Sequence, residues 1–104
     1  MIIEYRNYQL KPGTLQEFIK IYEAEGLHVQ TSALGELIGY FYSEVGDLNR
    51  IVQVWRFASF EDRQERRARL AATPEWRALL AKIGPLIVDQ RNELLTPAPF
   101  SPIR

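Results

Sequence analysis

The sequence predicts a single α+β domain of the split βαββαβ type, and three observations predict it. Four segments alternate residues with period two, helical periodicity separates the first from the second and the third from the fourth, and a short hairpin-length link joins the middle pair. A chain of 104 residues is the size of one domain, 1–104, with no linker, repeat or low-complexity segment inside it.

In residues 2–10, Ile2, Glu4, Arg6, Tyr8 and Leu10 share one face of a strand, and Ile3, Tyr5, Asn7 and Gln9 share the other. Lys11-Pro12-Gly13 breaks that strand. Thr14 and Glu17 stand at capping-box spacing, and Leu15, Phe18, Ile19 and Tyr22 then recur at helical intervals to about Gly26. A turn or short helix is expected to follow through Ser32. Residues 35–45 read as a strand with Leu37, Gly39 and Phe41 on one side and Ile38, Tyr40 and Tyr42 on the other; Gly39 within it signals a bulge or a close approach. Gly46-Asp47-Leu48-Asn49 leads into a strand over 50–57. Ser59 with Asp62 opens a helix to about Ala72, and Thr73-Pro74 opens another that carries Trp76, Leu79, Leu80 and Ile83. Gly84-Pro85 ends it, and residues 86–95 form the last strand. This order is that of a ferredoxin-like protomer. The tail, 97–104, holds three prolines and is expected to lie extended over a surface.

Composition narrows the function. With 13 basic and 13 acidic residues the chain carries no net charge, so nothing draws it to nucleic acid or anionic lipid. There is no cysteine and a single histidine, His28, which rules out thiolate chemistry and makes a poor metal set; no metal and no cofactor are expected. Charge appears within the first six residues, so the opening does not read as a signal peptide, and no apolar run suits a membrane span; a cytoplasmic protein is the expectation. Arg63, Arg66, Arg67, Arg69 and Arg77 alternate with Glu61, Asp62, Glu65 and Glu75 and read as a solvated helix face.

The strands carry rings and aliphatic groups on both faces. Val52 and Val54 suit packing against helices, yet Ile51, Trp55 and Phe57 stand opposite them, and Tyr40 and Tyr42 add a further aromatic pair. A sheet covered on one side only should be polar on the other, so a homodimer joined through the open face is expected.

Three segments resemble the NIPSNAP family of the dimeric α+β barrel superfamily. They are Ile3-Glu4-Tyr5-Arg6-Asn7-Tyr8-Gln9-Leu10-Lys11-Pro12-Gly13, then Glu44-Val45-Gly46-Asp47-Leu48-Asn49 leading to Trp55, and Pro85-Leu86-Ile87 with the Pro97-Ala98-Pro99-Phe100 tail. The resemblance implies a ferredoxin-like protomer and two sheets closing a dimeric barrel; it implies no settled activity. Eukaryotic relatives are linked to mitochondria and vesicle traffic. Where the family pattern suggests a histidine two residues before the tryptophan, this chain has Gln53, which cannot titrate, so a proton-transfer role does not carry over.

The candidate ligand-binding residues are Glu4, Arg6 and Tyr8, spaced two apart, with Gln53, Trp55, Gln90 and Asn92. If that face of the first strand lines the barrel, Arg6 holds an anionic group, Tyr8 and Trp55 supply ring contacts and Gln53 fixes orientation. The simpler reading pairs Glu4 with Arg6 in an interface and nothing more. Three functions therefore stand: a small-molecule-binding barrel of the cofactor-independent monooxygenase or isomerase kind, a protein-interaction module that presents its tail, and a haem-handling enzyme using His28.

Overall fold

The computed structural model describes residues 1–104. Its elements are β1 (Ile2–Leu10), α1 (Leu15–Glu25), α2 (Leu27–Leu34), β2 (Glu36–Tyr42), β3 (Arg50–Phe57), α3 (Phe60–Ala72), α4 (Pro74–Ile83), a 3₁₀ turn (Gly84–Leu86) and β4 (Ile87–Leu95). The strands form one antiparallel sheet in the order β2-β3-β1-β4, and the four helices pack on one of its faces. This is the α+β ferredoxin-like arrangement that the element order predicts. No helix is long and apolar enough to cross a membrane.

Local chemistry places the helix starts, though not always as capping rules suggest. Ser59 Oγ accepts a hydrogen bond from the Asp62 backbone N–H at 3.0 Å, as an N-cap should. Thr14 and Thr73 do not cap through their side chains; their hydroxyls donate backward, to the carbonyls of Lys11 (2.6 Å) and Arg69 (3.0 Å). The segment after Gly26 is a full helix, α2, because Gly26 lets α1 turn against α4: a Cβ there would lie 2.3 Å from Leu79 Cδ2.

The sheet's faces differ from the expectation in β3. Ile51, Gln53, Trp55 and Phe57 are buried beneath the helices, whereas Val52 and Val54 lie on the open face. The reason is register. Trp55 pairs with Glu4 and Gln53 with Arg6, so the charged side of β1 and the ring-bearing side of β3 share one compartment. Two clusters fill it. Tyr8, Leu10, Phe18, Tyr22, Ile51, Leu79 and Ile83 form one, and Leu34, Trp55, Phe57 and Leu70 form the other.

In β2 the pairing with β3 slips between Leu37 and Gly39. Ile38 is therefore an extra residue, and the alternation changes sides there. Leu37 and Tyr40 both pack under the helices, while Gly39 and Phe41 stand on the open face with the Phe41 ring over the glycine. Tyr40 is thus not part of the exposed face.

Open-face residues Tyr5, Val52, Val54 and Phe41 (57% exposed) make an apolar half, and Asn7, Gln9, Arg50, Asp89 and Arg91 a polar one. The tail does not run straight outward. It turns at Ala98–Ser101, brings Ile103 into a hollow shared with Ile3 and Leu95, and the Arg104 carbonyl accepts from Arg56 Nη1 at 3.4 Å.

Trp55 has no solvent contact, so Trp55→Ala should lower unfolding free energy by about 3–5 kcal/mol in urea titrations followed by circular dichroism. A loss below about 1 kcal/mol, the size of a surface change, would contradict the face assignment.

Candidate functional site

Glu4, Arg6 and Tyr8 point the same way from β1 because they are two residues apart, as expected; the side they point to is the helix side of the same protomer and not the face available to a partner. Glu4 is completely buried. Arg6 Nη1 donates to Glu4 Oε2 at 3.0 Å, Arg63 Nη2 to the same oxygen at 2.6 Å, and Arg67 Nη2 to Oε1 at 2.6 Å. The Asn92 amide lies beside them, 3.3 Å from Oε2. Arg63 and Arg67 are four apart on α3, so one helix face delivers both guanidiniums to one carboxylate. Two of the five arginines assigned to a solvated face therefore turn inward. The others behave as expected of surface groups: Arg66 pairs with Asp62 (3.1 Å), Arg69 approaches Glu65 (3.8 Å), and Arg77 donates to the Ala71 and Ala72 carbonyls.

Burial alone would raise the Glu4 carboxyl, but hydrogen bonds from Arg63 and Arg67 and the nearby charges of Arg67 and Arg6 outweigh it and hold it below its ordinary value. Three guanidiniums against one carboxylate leave a local excess of two positive charges. Burial and the neighbouring Arg6 lower Arg67 from its ordinary value, with Glu4 opposing them.

Beside this cluster lies a cavity of ≈ 200 Å³ between sheet and helices. Of the 13 lining residues, two are arginines, Arg6 and Arg67, and none is an Asp or Glu. The polar part of the wall adds Tyr8, Tyr22, Tyr40, Gln30, Gln53 and Gln90; the apolar part includes Phe18, Trp76 and Ile83. Leu80 and Gln90 on the same wall are exposed, so the mouth opens between α4 and β4.

Much of the wall is fixed by internal bonds. Arg6 Nε donates to the Tyr8 hydroxyl at 2.8 Å, Trp55 Nε1 to Gln53 Oε1 at 2.6 Å, and the Tyr22 hydroxyl to Gln30 Oε1. Phe18, Tyr22 and Tyr40 form a ladder of near-parallel rings, 6.5 and 4.8 Å between successive centroids. Two residues of this wall carry an enclosed donor without a hydrogen-bond partner in the protein, the Tyr40 hydroxyl and Arg67 Nε; a third such atom, Arg56 Nε, lies away from it. Burial, with neighbouring phenols, pushes Tyr22 and Tyr40 upward, so both stay protonated at neutral pH.

Of the candidate ligand residues, Arg6, Tyr8, Gln53 and Gln90 meet on this wall. Glu4 and Asn92 stand behind it, in the charge cluster, and Trp55 packs with Leu34, Phe57 and Leu70 and touches the wall only through Gln53. His28 is exposed on α2 and does not line the cavity. Arg67, Tyr40, Tyr22 and Gln30 went unforeseen. Arg67 was within reach of a sequence argument, since Glu4 on a core-facing strand needs cationic partners and Arg63/Arg67 offers them at one-turn spacing.

Because the folded Glu4 carboxyl titrates below an unfolded glutamate, near about pH 4.3, the stabilisation from the cluster is complete above that range and disappears as pH falls through the folded value. Glu4→Gln should cost roughly 3 kcal/mol at pH 7 by urea unfolding, since it strands three guanidiniums. The gap between variant and wild type should shrink as pH approaches 3; a gap independent of pH would refute the buried ionised carboxylate.

A family model described as NIPSNAP matches residues 3–102. Among known structures, a NIPSNAP family protein of Agrobacterium tumefaciens superposes with a TM-score of 0.98 at 49% identity, covering 100% of this chain and 94% of that one. An antibiotic biosynthesis monooxygenase superposes with a TM-score of 0.67 at 16% identity over 95% of this chain and 100% of that one, which concerns the fold alone. Human NipSnap homolog 3A is 32% identical over 94 residues (89% of this chain, 37% of that protein), and Drosophila melanogaster NipSnap 32% identical over 101 (97% and 36%). The chain thus spans little more than a third of either relative. With its family signature matched almost from end to end and its protomer superposing on solved members, this chain belongs to the NIPSNAP family.

Proposed function

We propose that this protein binds a small polar or aromatic molecule in the cavity between the sheet and helices of each protomer, and that it works as a homodimer joined through the open sheet face. The observation that carries the reading is the cavity itself. It combines an apolar ring-lined wall, amide and hydroxyl groups held in place by internal hydrogen bonds, and a mouth to solvent, which is the composition of ligand sites. A domain serving only as an interaction module has no need of buried donors left without partners. The reading places the ligand inside one protomer, rather than in a barrel interior shared by two.

If chemistry follows binding, it is of a kind that needs no titrating base from the wall. The wall holds arginines, phenols and amides, with Tyr22 and Tyr40 pushed upward and staying protonated, and it has no histidine, lysine, Asp or Glu. Such a set can orient a substrate and stabilise negative charge developing on it. A monooxygenase-like reaction, the activity in the fold neighbour's name, is consistent with that set, as is an isomerase-like one, and either would run here without a cofactor.

Dimer formation follows from the open face. Phe41, Val52, Val54 and Tyr5 form an apolar half-face that a lone protomer leaves in water.

The two tryptophans make ligand entry measurable, since Trp76 lines the cavity and Trp55 does not. In a Trp55→Phe variant, titration with single-ring aromatic compounds should change Trp76 emission saturably and raise the melting temperature. A panel that leaves both unchanged would remove the ligand reading. For the dimer, light scattering at micromolar concentration should give the mass of two chains, and Val54→Lys should shift it to one; a single-chain mass for the wild type would sink the pairing.

A further inference from the structure

The charge balance around the cavity is not neutral, and that restricts what it can hold. Arg6 and Arg67 both reach the wall, their shared counter-ion Glu4 is withdrawn behind it, and no other carboxylate lines the space. Arg67 has spent one terminal nitrogen on Glu4 and keeps Nε unpaired. The Tyr40 hydroxyl, on the ring stacked on Tyr22, is enclosed and without a partner, and Tyr8 uses its oxygen to accept from Arg6, which leaves its own proton to donate. Gln53 has its carbonyl oxygen engaged by Trp55, so its amide N–H₂ is the group left for the cavity. The arginines, Tyr8 and the Gln53 amide therefore offer donors to the space, and the one amide oxygen without a protein partner, that of Gln90, stands at the exposed mouth. A wall of unpaired donors with excess positive charge fits an anion and rejects a cation.

Size and shape narrow the class further. A volume of ≈ 200 Å³ is that of about seven waters, below the range of about 300–1,000 Å³ usual for drug-sized ligands. Trp76 furnishes flat apolar surface beside the remainder, and the Phe18–Tyr22–Tyr40 stack backs the wall. We infer that the ligand is a single-ring organic acid, its carboxylate held by Arg67 and Arg6 with Tyr8 donating, and its ring against Trp76. This rests on the proposed function of the cavity and goes beyond it by fixing the ligand's charge and size.

Calorimetric titration of the wild-type protein with benzoate, benzamide and inorganic phosphate separates the possibilities. Benzoate should bind at least about tenfold more tightly than benzamide, its neutral isostere, because a charge-assisted hydrogen bond is lost with the charge. Phosphate, which has no ring, should bind more weakly than benzoate. Arg67→Gln should lower benzoate affinity by at least about tenfold while leaving benzamide unchanged. Tyr8→Phe, which keeps the ring and removes only the hydroxyl, gives a second readout if Arg67→Gln unfolds, and should weaken benzoate alone. Equal binding of benzoate and benzamide would overturn the acid assignment and leave the cavity reading standing. Phosphate binding as tightly as benzoate would overturn the ring assignment, and no binding of any of the three would overturn both the inference and the reading beneath it.

Discussion

A carboxylate without any contact to water, Glu4, sits between β1 and α3, and three guanidiniums converge on it. Removing a carboxylate from water is costly, and the native state holds it ionised only because Arg6, Arg63 and Arg67 satisfy both oxygens. The constraint is mutual. Arg6 cannot be buried on the central strand without Glu4, and α3 cannot take another rotation about its axis without pulling Arg63 and Arg67 away from it. One ionic cluster thereby sets the angle of the helix, the identity of the buried strand face and the sign of the adjoining cavity.

The element order was legible from the residues. Ser59, the Thr73-Pro74 step and the period-two strands each mark structure through backbone chemistry that acts locally, although the hairpin link is seven residues, 43–49, because the second strand ends at Tyr42 and not at 45. The assignment of faces was less legible, because it depends on what a strand meets. Val52 and Val54 look like core residues and Gln53 like a surface one, yet the bulk of Trp55 and Phe57 and the need to enclose Glu4 and Arg6 turn β3 the other way. The inward arginines of α3 were hidden by their neighbours: Glu61, Asp62 and Glu65 offer plausible local partners, and only the distant Glu4 discloses the real one. Of the site, the part carried by strands was readable, and the part carried by helices, Arg67 and Tyr22 above all, required the packing.

The cavity and the first of the two apolar clusters share residues. Phe18, Tyr22 and Ile83 belong to the core and also form the wall, so the site is an interruption in the packing of the core itself. Its shape is therefore held by the same contacts that hold the domain together, and its polar groups are anchored to rigid elements rather than to loops. Such a site is pre-formed, and the fixed dipoles of Tyr8, Gln30 and Gln53 need little rearrangement when a guest enters.

The extra residue at Ile38 has a consequence for how this chain tolerates change in length. Upstream of it the odd-numbered Leu37 is on the helix side; downstream, the even-numbered Tyr40 takes that side. Deleting the codon for Ile38 would restore plain alternation with Leu37 and Tyr40 still on the helix side and Gly39 and Phe41 still outside, while every other strand kept its footing. Variants of this domain that drop one amino acid just ahead of Gly39 should thus keep the same interior and lose only the local kink, whereas a loss elsewhere in the strand would turn its later side chains over.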